Sequence, residues 1–198
     1  ALPTEETERE MYGRTLEMLK SRGYFRYEIS NYALPQKECR HNIGYWQQVP
    51  YLGLGLGSSS FMGNARFSNK RGLSDYMNED FCRLPQILGN GQGCRMMPER
   101  YTKGKLQAFC EQEAAGAAVC YLDKKQQIEE FMFLGLRMTE GISRGRFEEK
   151  FHMTLESVYG AALQKLQQQG LLEFHEGMVR LTEAGIAVSN YVFCEFIS

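Results

Sequence analysis

The C-terminal half of the fold is decided by residues 154–182, which read TLESVYGAALQKLQQQGLLEFHEGMVRLT. Apolar residues recur at helical spacing after Thr154, a candidate N-cap, and Gly170 is placed to end the helix. Two short apolar segments follow, and the turn residues Glu176 and Gly177 separate them. The stretch therefore predicts a helix followed by a β-hairpin.

The elements on either side of this stretch predict a winged-helix domain. Residues 126–139 have the apolar spacing of a helix, and Ser143 is the candidate cap of a short second helix. Thr182 is the candidate cap of a last helix that reaches about Phe196. Three helices, a hairpin and a final helix form a winged-helix outline over residues 126–198.

Charge argues against nucleic acid as the partner of this winged domain. Winged helices often lay their third helix in the major groove, where Lys and Arg neutralise phosphate. Residues 126–198 carry 6 basic and 10 acidic side chains, and Lys165 is the cation of the third helix. We therefore expect a packing or lid role for this domain rather than DNA binding.

Composition and charge describe an ordinary folded chain. Its 198 residues fall between one and two domains, and 43% hydrophobic residues can bury at least one core. Lys and Arg total 23 against 24 for Asp and Glu, which gives no general attraction to polyanions or anionic membranes. No apolar run approaches the roughly 20 residues of a membrane span, and the start has no signal-peptide pattern. The expected location is the cytoplasm.

The cysteines are too scattered to predict a metal or cluster site within this chain. A soft-metal or cluster site needs closely spaced thiolates, so that one loop can supply several ligands. A chain of this length does not need disulfides to fold, so we expect reduced, structural thiols. The six cysteines are Cys39, Cys82, Cys94, Cys110, Cys120 and Cys194.

The N-terminal segment predicts half of an α/β repeat. Thr4 is a candidate N-cap for a helix that runs to about Arg22 and is ended by Gly23. Residues 24–30 then alternate as a strand, with Phe25 on one face. Because the pattern starts midway, we expect that further α/β units precede it. The predicted apolar stripe of the helix is Met11, Tyr12, Leu16 and Leu19.

The middle of the chain gives the weakest predictions. Residues 73–81 suggest a short helix, residues 82–101 an irregular connection, and residues 103–120 a further helix. The predicted organisation therefore has three parts, residues 1–81, 82–125 and 126–198.

Candidate functional residues concentrate in residues 27–69, which read YEISNYALPQKECRHNIGYWQQVPYLGLGLGSSSFMGNARFSN. A strand ends in polar Ser30 and Asn31, and a loop with Cys39 and His41 follows. A glycine-rich run comes next, and glycines let a flat or adenosyl ligand approach the main chain. The pattern predicts a ligand rim, whose glycines are Gly53, Gly55 and Gly57.

The residues alone leave plainer interpretations open. His41 suits a surface or helix-capping histidine on a loop, and large aromatics such as Tyr45 and Trp46 usually pack in a core. A GxGxG run is equally consistent with a tight strand or bulge. It lacks the helix-opening GxGxxG arrangement, so a Rossmann dinucleotide site is not predicted.

Three motifs of this region resemble the HemW/HemN group of radical S-adenosylmethionine proteins. They are YEISNYA at residues 27–33, HNIGYW at residues 41–46 and YLGLGLG at residues 51–57. EEFMFLGLR at residues 129–137 and LTEAG at residues 181–185 resemble the accessory domain of that group. The resemblance covers most of the chain and is weakest between residues 82 and 120.

The resemblance implies an α+β fold, in which the C-terminal remnant of a partial (β/α) barrel precedes a mostly helical winged-helix-like domain. It implies a heme-pathway protein, and the HNxxYW hexapeptide points to the HemW-type heme chaperone. His41 would be the heme-iron ligand, Tyr45 and Trp46 porphyrin contacts, and Asn42 a further cofactor-binding residue. Imidazole is a common axial ligand of heme iron. The glycines placed beside S-adenosylmethionine would be Gly53, Gly55 and Gly57.

Two departures from the family pattern limit what this chain would do. Positions equivalent to Ile43, Gly44 and Ser59 approach a second S-adenosylmethionine in the oxidase branch, and Gly44 and Ser59 do not preserve those side chains. Radical chemistry needs a [4Fe-4S] cluster on a CxxxCxxC loop, which this sequence lacks. We therefore expect a C-terminal fragment whose parent holds the cluster, and assign no catalytic residue.

Two other functions stay open at this point. One is oxygen-independent coproporphyrinogen III oxidase, which decarboxylates coproporphyrinogen to protoporphyrinogen. The other is a non-catalytic interaction module. The expected partners are heme or porphyrin and a possible heme-acceptor protein.

Overall fold

A computed structural model of the chain describes residues 3–78 and 119–197. The chain divides into two compact units, with one boundary after Gln48 and the other within the helix Lys124–Gly135. Ala1–Gln48 with Ile128–Ser198 form one, here called the winged unit, and Val49–Gln127 form the other, the glycine unit.

The described elements follow one another in this order: α1 (Glu5–Lys20), β1 (Phe25–Glu28), β2 (Asn31–Ala33), α2 (Arg40–Trp46), β3 (Ser59–Met62), β4 (Ala65–Ser68), α3 (Leu73–Met77), β5 (Val119–Tyr121), α4 (Lys124–Gly135), β6 (Ile142–Ser143), α5 (Arg144–Phe151), α6 (Leu155–Gln168), β7 (Leu172–His175), β8 (Met178–Leu181), α7 (Glu183–Ala187) and α8 (Ser189–Cys194).

The C-terminal part of the winged unit has the predicted outline. Helices α4, α5 and α6 precede the β7–β8 hairpin, and β6 pairs with β8 to give an antiparallel sheet of order β6-β8-β7. Glu176 and Gly177, with φ of 49° and 78°, make the predicted turn. Two positive φ values in succession suit the tight turn of a hairpin. The winged-helix prediction for this region is confirmed.

Local hydrogen bonds explain why its helices begin where they do. The hydroxyls of Ser143, Thr154 and Thr182 accept the backbone N–H groups of Arg146, Ser157 and Gly185 at 3.2, 3.3 and 3.0 Å. Each bond satisfies an amide that the first turn of a helix leaves without a partner. The three caps predicted from sequence are therefore confirmed.

One core joins the helices and sheet of this region. It includes buried side chains from every element from α4 to α8. Its fully buried large side chains include Met132, Leu136, Phe147, Leu155, Leu166, Val179, Val192 and Phe196.

The prediction of one final helix was wrong. The structure has two, α7 and α8, because Val188 lies between them at φ −122° and ψ 33°, outside the helical region. A β-branched side chain is stiff and lowers helix propensity, which favours a break at this position. Ile186 on one side of the break and Phe193 on the other are both buried in the core.

The N-terminal elements of the winged unit differ from the prediction in two ways. Helix α1 has its Thr4 cap, but none of its described residues is buried, and Met11 of the expected apolar stripe is 57% exposed. Helix α1 leads into strand β1 as expected, but β1 pairs antiparallel with β2 in a hairpin that was not expected. Phe25 is exposed, whereas Glu28, expected on the opposite face, is completely buried.

The glycine unit contains a small antiparallel sheet that the sequence interpretation missed. Its order is β3-β4-β5, and Ala65 and Phe67 of β4 form its buried centre. No strand was predicted where β4 lies, at Ala65–Ser68. Residues 119–120 belong to β5, so the predicted helix was wrong at that end. The other predictions for residues 79–118, including Cys82, Cys94 and Cys110, lie outside the described residues.

Two further expectations concern thiols and membranes. Cys39, Cys120 and Cys194 are free and exposed, so these three thiols do not pack in a core as expected. Within the described ranges, no helix has both the length and the apolarity needed to cross a membrane.

Candidate functional site

The HNxxYW hexapeptide forms helix α2 of the winged unit. His41 was expected on a loop, and the structure corrects this: it lies in the first turn of the helix. The residue at the N-cap, Cys39, makes no side-chain cap bond to the described backbone, and none of the seven residues of α2 is buried. An isolated helix of this length is unstable in water. Contacts with the rest of the unit must therefore stabilise it.

His41 is exposed on α2 and is braced by Tyr45 one turn later. Their ring centroids lie 4.4 Å apart with an interplanar angle of 67°, an edge-on aromatic contact. The i, i+4 spacing on a helix brings such pairs together. Asn42 is half-buried beside them. The imidazole is thus held by a neighbour and still accessible to a ligand from outside.

Trp46 ends α2 beneath the guanidinium of Arg137. The Cζ atom of Arg137 lies 4.4 Å from the indole centroid, within the range of a cation–π interaction. Trp46 is half-buried, and its Nε1 has no hydrogen-bond partner among the described residues. The indole is therefore fixed mainly by stacking.

The second residue after α2 makes polar contacts that anchor the helix. Gln48 accepts a hydrogen bond from Lys150 Nζ at 2.7 Å through Oε1 and donates to Glu130 Oε2 at 3.4 Å through Nε2. Burial, followed by the charge of Arg146, lowers the pKa of Lys150, while Glu130 opposes the shift. These contacts tie α2 to helices α4 and α5.

A cavity of about 130 Å³ lies beside Trp46, entirely within the winged unit. Typical sites for drug-sized ligands are about 300–1,000 Å³, so this cavity cannot enclose a tetrapyrrole. A porphyrin bound by His41 would have to lie over the exposed side of α2. The cavity wall includes Trp46, Gln48, Phe131, Met138, Arg146 and Met178.

The glycine run belongs to the glycine unit. Gly53 N–H donates to Ser60 Oγ at 2.9 Å, and Gly57 N–H donates to the Lys70 carbonyl at 2.9 Å. Gly55 N–H reaches the hydroxyl of Tyr76 at 3.2 Å. Because all three N–H groups are already bonded, the run does not offer them as a cradle for an anion.

Asn69 holds the same run from the carbonyl side. Its Nδ2 donates to the carbonyls of Gly53 and Gly55 at 3.1 and 3.0 Å. A Cβ on Gly53 would lie 2.3 Å from the Ser59 carbonyl oxygen, a clash that explains the glycine at this position. Close packing of the backbone therefore accounts for Gly53, and a ligand role for the run stays a prediction.

Sequence reasoning missed the most buried acid of the winged unit, Glu28. Its Oε1 accepts the Ser30 N–H at 3.0 Å and the Asn31 Nδ2 at 2.5 Å. Its Oε2 lies 3.8 Å from Arg137 Nη2. The sequence offered one indication that Glu28 is buried, the polar residues Ser30 and Asn31 shortly after it. Backbone amides and polar side chains of this kind can satisfy a buried carboxylate.

The side chains that could bind a metal limit which metals the described residues could hold. Within residues 3–78 and 119–197, no group of three or more His, Cys, Asp or Glu side chains is placed to bind a metal ion. A cluster site would need such a group, whereas heme iron is held in its ring and needs one axial side chain. The described residues fit heme at His41 and do not fit a [4Fe-4S] cluster.

Comparison with known proteins agrees with these observations. Residues 122–188 match the HemN C-terminal domain family. Over 196 residues, the chain is 32% identical to the heme chaperone HemW of Lactococcus lactis and, equally, to that of Bacillus subtilis, covering 99% of this chain and 44% of each relative. It is 26% identical to the mitochondrial radical S-adenosyl methionine domain-containing protein 1 of Danio rerio, over 97% of this chain and 39% of that protein.

A solved structure has the same fold. The coproporphyrinogen III oxidase HemN of Escherichia coli, described as a radical SAM enzyme, matches with a TM-score of 0.62 over 98% of this chain and 42% of that one. Its sequence identity is 14%, so the likeness concerns fold alone.

These matches define an α+β protein of the HemN type with a winged C-terminal domain. The chain belongs to the HemW/HemN family, as its motifs indicated. It spans less than half the length of the curated relatives that it matches.

Proposed function

We propose that this chain is part of a HemW-type heme-binding chaperone. The observation that supports this most directly is the exposed His41 on α2, braced by Tyr45, in a chain 32% identical to proteins named heme chaperone HemW. Residues 1–81 would form the end of a radical S-adenosylmethionine barrel. The [4Fe-4S] cluster and its cysteine ligands would lie outside this chain.

In this proposal His41 is the axial ligand of the heme iron. A neutral imidazole nitrogen donates its lone pair to the iron, and the contact with Tyr45 limits rotation of the ring. Trp46 and Tyr45 offer aromatic surface to the porphyrin, and Asn42 lies on the same helix. Heme itself supplies an iron with an open coordination position and a large apolar face. One accessible ligand suits cargo that must later be released to an acceptor protein.

The glycine run is assigned a smaller role in binding S-adenosylmethionine. Gly53, Gly55 and Gly57 would make van der Waals contacts with the adenosyl group through their main-chain atoms. Their N–H groups already donate within the unit, so they would not donate to the ligand. Such contacts would favour binding through shape complementarity and not through electrostatic attraction. No reaction step is assigned to this chain, and a cytoplasmic location is part of the same proposal.

The test is a hemin titration of the 198-residue chain and its variants, followed through the Soret band. We expect the Soret band of hemin to shift when hemin binds the unchanged chain. His41→Ala should abolish this shift, because the nitrogen that would bind the iron is lost. His175→Ala is the matched control: His175 has a side chain 64% exposed on β7, away from α2 in sequence. Equal Soret spectra and affinities for His41→Ala and the unchanged chain would disprove the ligand assignment.

The two other functions are separated by different measurements. Oxidase activity would appear as conversion of coproporphyrinogen to protoporphyrinogen by the intact gene product, and the likeness to the Escherichia coli oxidase supports only a shared fold. An interaction module would bind neither heme nor S-adenosylmethionine. A positive hemin titration that depends on His41 favours the chaperone over both.

A further inference from the structure

A buried ion pair connects strand β1 to the aromatic end of α2. Glu28 is completely buried at the end of β1, and its Oε2 makes no hydrogen bond with any described residue. The nearest cation is Arg137, whose Nη2 lies 3.8 Å from that oxygen. Removing a carboxylate from water is unfavourable unless the charge is paired, so Glu28 holds the guanidinium nearby.

The backbone of Arg137 is fixed by the same strand. Its carbonyl accepts the Ile29 N–H at 3.0 Å, and Glu28 forms an isolated antiparallel bridge with Met138. Arg137 is therefore tied to this region twice, through its backbone to Ile29, the residue after β1, and through its guanidinium to the Glu28 carboxylate. A planar guanidinium held in this way is a rigid platform.

Trp46 lies against that platform. The guanidinium carbon of Arg137 is 4.4 Å from the indole centroid. Neither Trp46 Nε1 nor Arg137 Nε, both buried, has a hydrogen-bond partner among the described residues. The stack is therefore the specific side-chain contact of the indole among the described residues.

We propose that Glu28 and Arg137 are positioning residues that orient Trp46 at the end of α2. Arg137 acts on the indole directly, and Glu28 acts through Arg137. The consequence for heme rests on the proposed function: an oriented indole gives the porphyrin a preformed aromatic wall beside His41, so less freedom is lost on binding.

If Arg137 served only to neutralise Glu28, its role would be purely structural. Replacing either side chain would then leave the mobility of the Trp46 indole unchanged. Trp46 is the single tryptophan of the chain, so its fluorescence reports on this position without interference.

The first measurement is acrylamide quenching and near-ultraviolet circular dichroism of Trp46 in the 198-residue chain without heme. Arg137→Met keeps the bulk of the side chain and removes the cation, and we expect the quenching constant to rise about twofold and the indole dichroism to fall. Glu28→Gln is expected to change both readings in the same direction. Arg137→Lys keeps a charge without the planar stack and should give intermediate values.

The matched control is Arg180→Met. Arg180 pairs with Glu173 across the hairpin at 2.6 Å, in an exposed ion pair that has no cation–π contact with Trp46. Its quenching constant should equal that of the unchanged chain. Far-ultraviolet dichroism checks folding, and if Arg137→Met does not fold, Arg137→Lys and Glu28→Gln decide the test.

The second measurement is hemin affinity. Arg137→Met should weaken it about fivefold, in line with the loss of one partly desolvated cation–π contact, and leave the Soret position unchanged because His41 is intact. Unchanged quenching in the folded Arg137 and Glu28 variants overturns the positioning role. If quenching increases but hemin affinity stays unchanged, the positioning role stands and the proposed contribution of the oriented Trp46 to heme binding is overturned. A lack of hemin binding by the unchanged chain overturns the proposed function instead, while the quenching result still decides the positioning role.

Discussion

The winged core and helix α2 belong to the same unit and are built in opposite ways. Helices α5, α6 and α7 each begin with a hydroxyl cap and bury residues in a common core. Helix α2 has seven residues, no described side-chain cap bond and no buried residue. Its specific contacts are concentrated at Trp46 and Gln48, next to its end.

Under the proposed function, this difference would separate stability from binding. The core obtains its free energy from burial of apolar area, whereas α2 keeps His41 and Tyr45 available at the cost of local stability. A carrier that must take up and release a large flat ligand benefits from an accessible helix supported at one end. The predictions below test whether the two regions are energetically as different as they look.

The largest effect is expected for Phe147→Ala in the core. Phe147 is completely buried, with ring centroids of Phe131 and Phe151 at 5.5 and 4.9 Å. Loss of the ring leaves a cavity, and we expect the free energy of unfolding to fall by about 4 kcal/mol. Urea denaturation followed by circular dichroism measures this. Phe25→Ala, at a residue 53% exposed, should cost less than about 1 kcal/mol, and similar losses for both variants would contradict the assignment of the core.

A slightly smaller loss is expected for Gly185→Ala. An added Cβ would lie 2.0 Å from the Leu171 carbonyl oxygen, which is already held by the Thr182 N–H at 3.1 Å. Because that carbonyl cannot move freely, we expect destabilisation of about 3 kcal/mol in the same denaturation experiment. Gly160→Ala is the control, since nothing lies within 4 Å of its added Cβ. If the two alanines have equal effects, close packing at Gly185 is not what requires glycine.

Alkaline pH should weaken the core through Tyr159. Burial, and then the charge of Glu129, raise the pKa of Tyr159 to about 12, and its hydroxyl donates to the Phe196 carbonyl at 3.1 Å. The folded state keeps this proton to higher pH than the unfolded chain. The resulting stability is complete below about pH 10 and is lost as the pH rises towards 12. Unfolding measured between these pH values should show the loss, and Tyr159→Phe should remove that contribution. An unchanged pH dependence in Tyr159→Phe would contradict it.

The smallest effects compare the caps of the two regions. Thr154→Ala should cost about 1 kcal/mol of global stability, whereas Thr154→Ser should cost little. Cys39→Asp, which offers α2 a cap, should slow hydrogen exchange of the α2 amides and change global stability by only a few tenths of a kcal/mol. A gain in global stability as large as the Thr154→Ala loss would show that α2 unfolds together with the core.

The sequence and the structure agree where the cause is local. Ser143, Thr154 and Thr182 could be identified as caps because each bonds an amide three residues away. The hairpin turn could be identified because its two residues adopt positive φ. These interactions involve neighbours in the chain, and a sequence shows neighbours directly.

The candidate site was predicted only in part for the same reason. The HNxxYW motif drew attention to His41, Tyr45 and Trp46, but the helix that presents them depends on contacts with distant residues. In the glycine unit, the β4–β5 pairing joins segments separated by residues outside the described part of the chain. The β3–β4 hairpin is local, with Met62 opposite Ala65, and the sequence interpretation missed it although Gly63 and Asn64 form its turn.

The sequence by itself determined the winged outline, the helix caps, the hairpin turn and the family to which the chain belongs. Only the tertiary structure decided that α1 has no buried face in the described part of the chain, that the last helix breaks at Val188, and that Glu28 is buried. It alone placed Arg137 over Trp46. Caps and turns depend on interactions within a few residues, whereas burial and stacking depend on which distant segments the folded chain brings together.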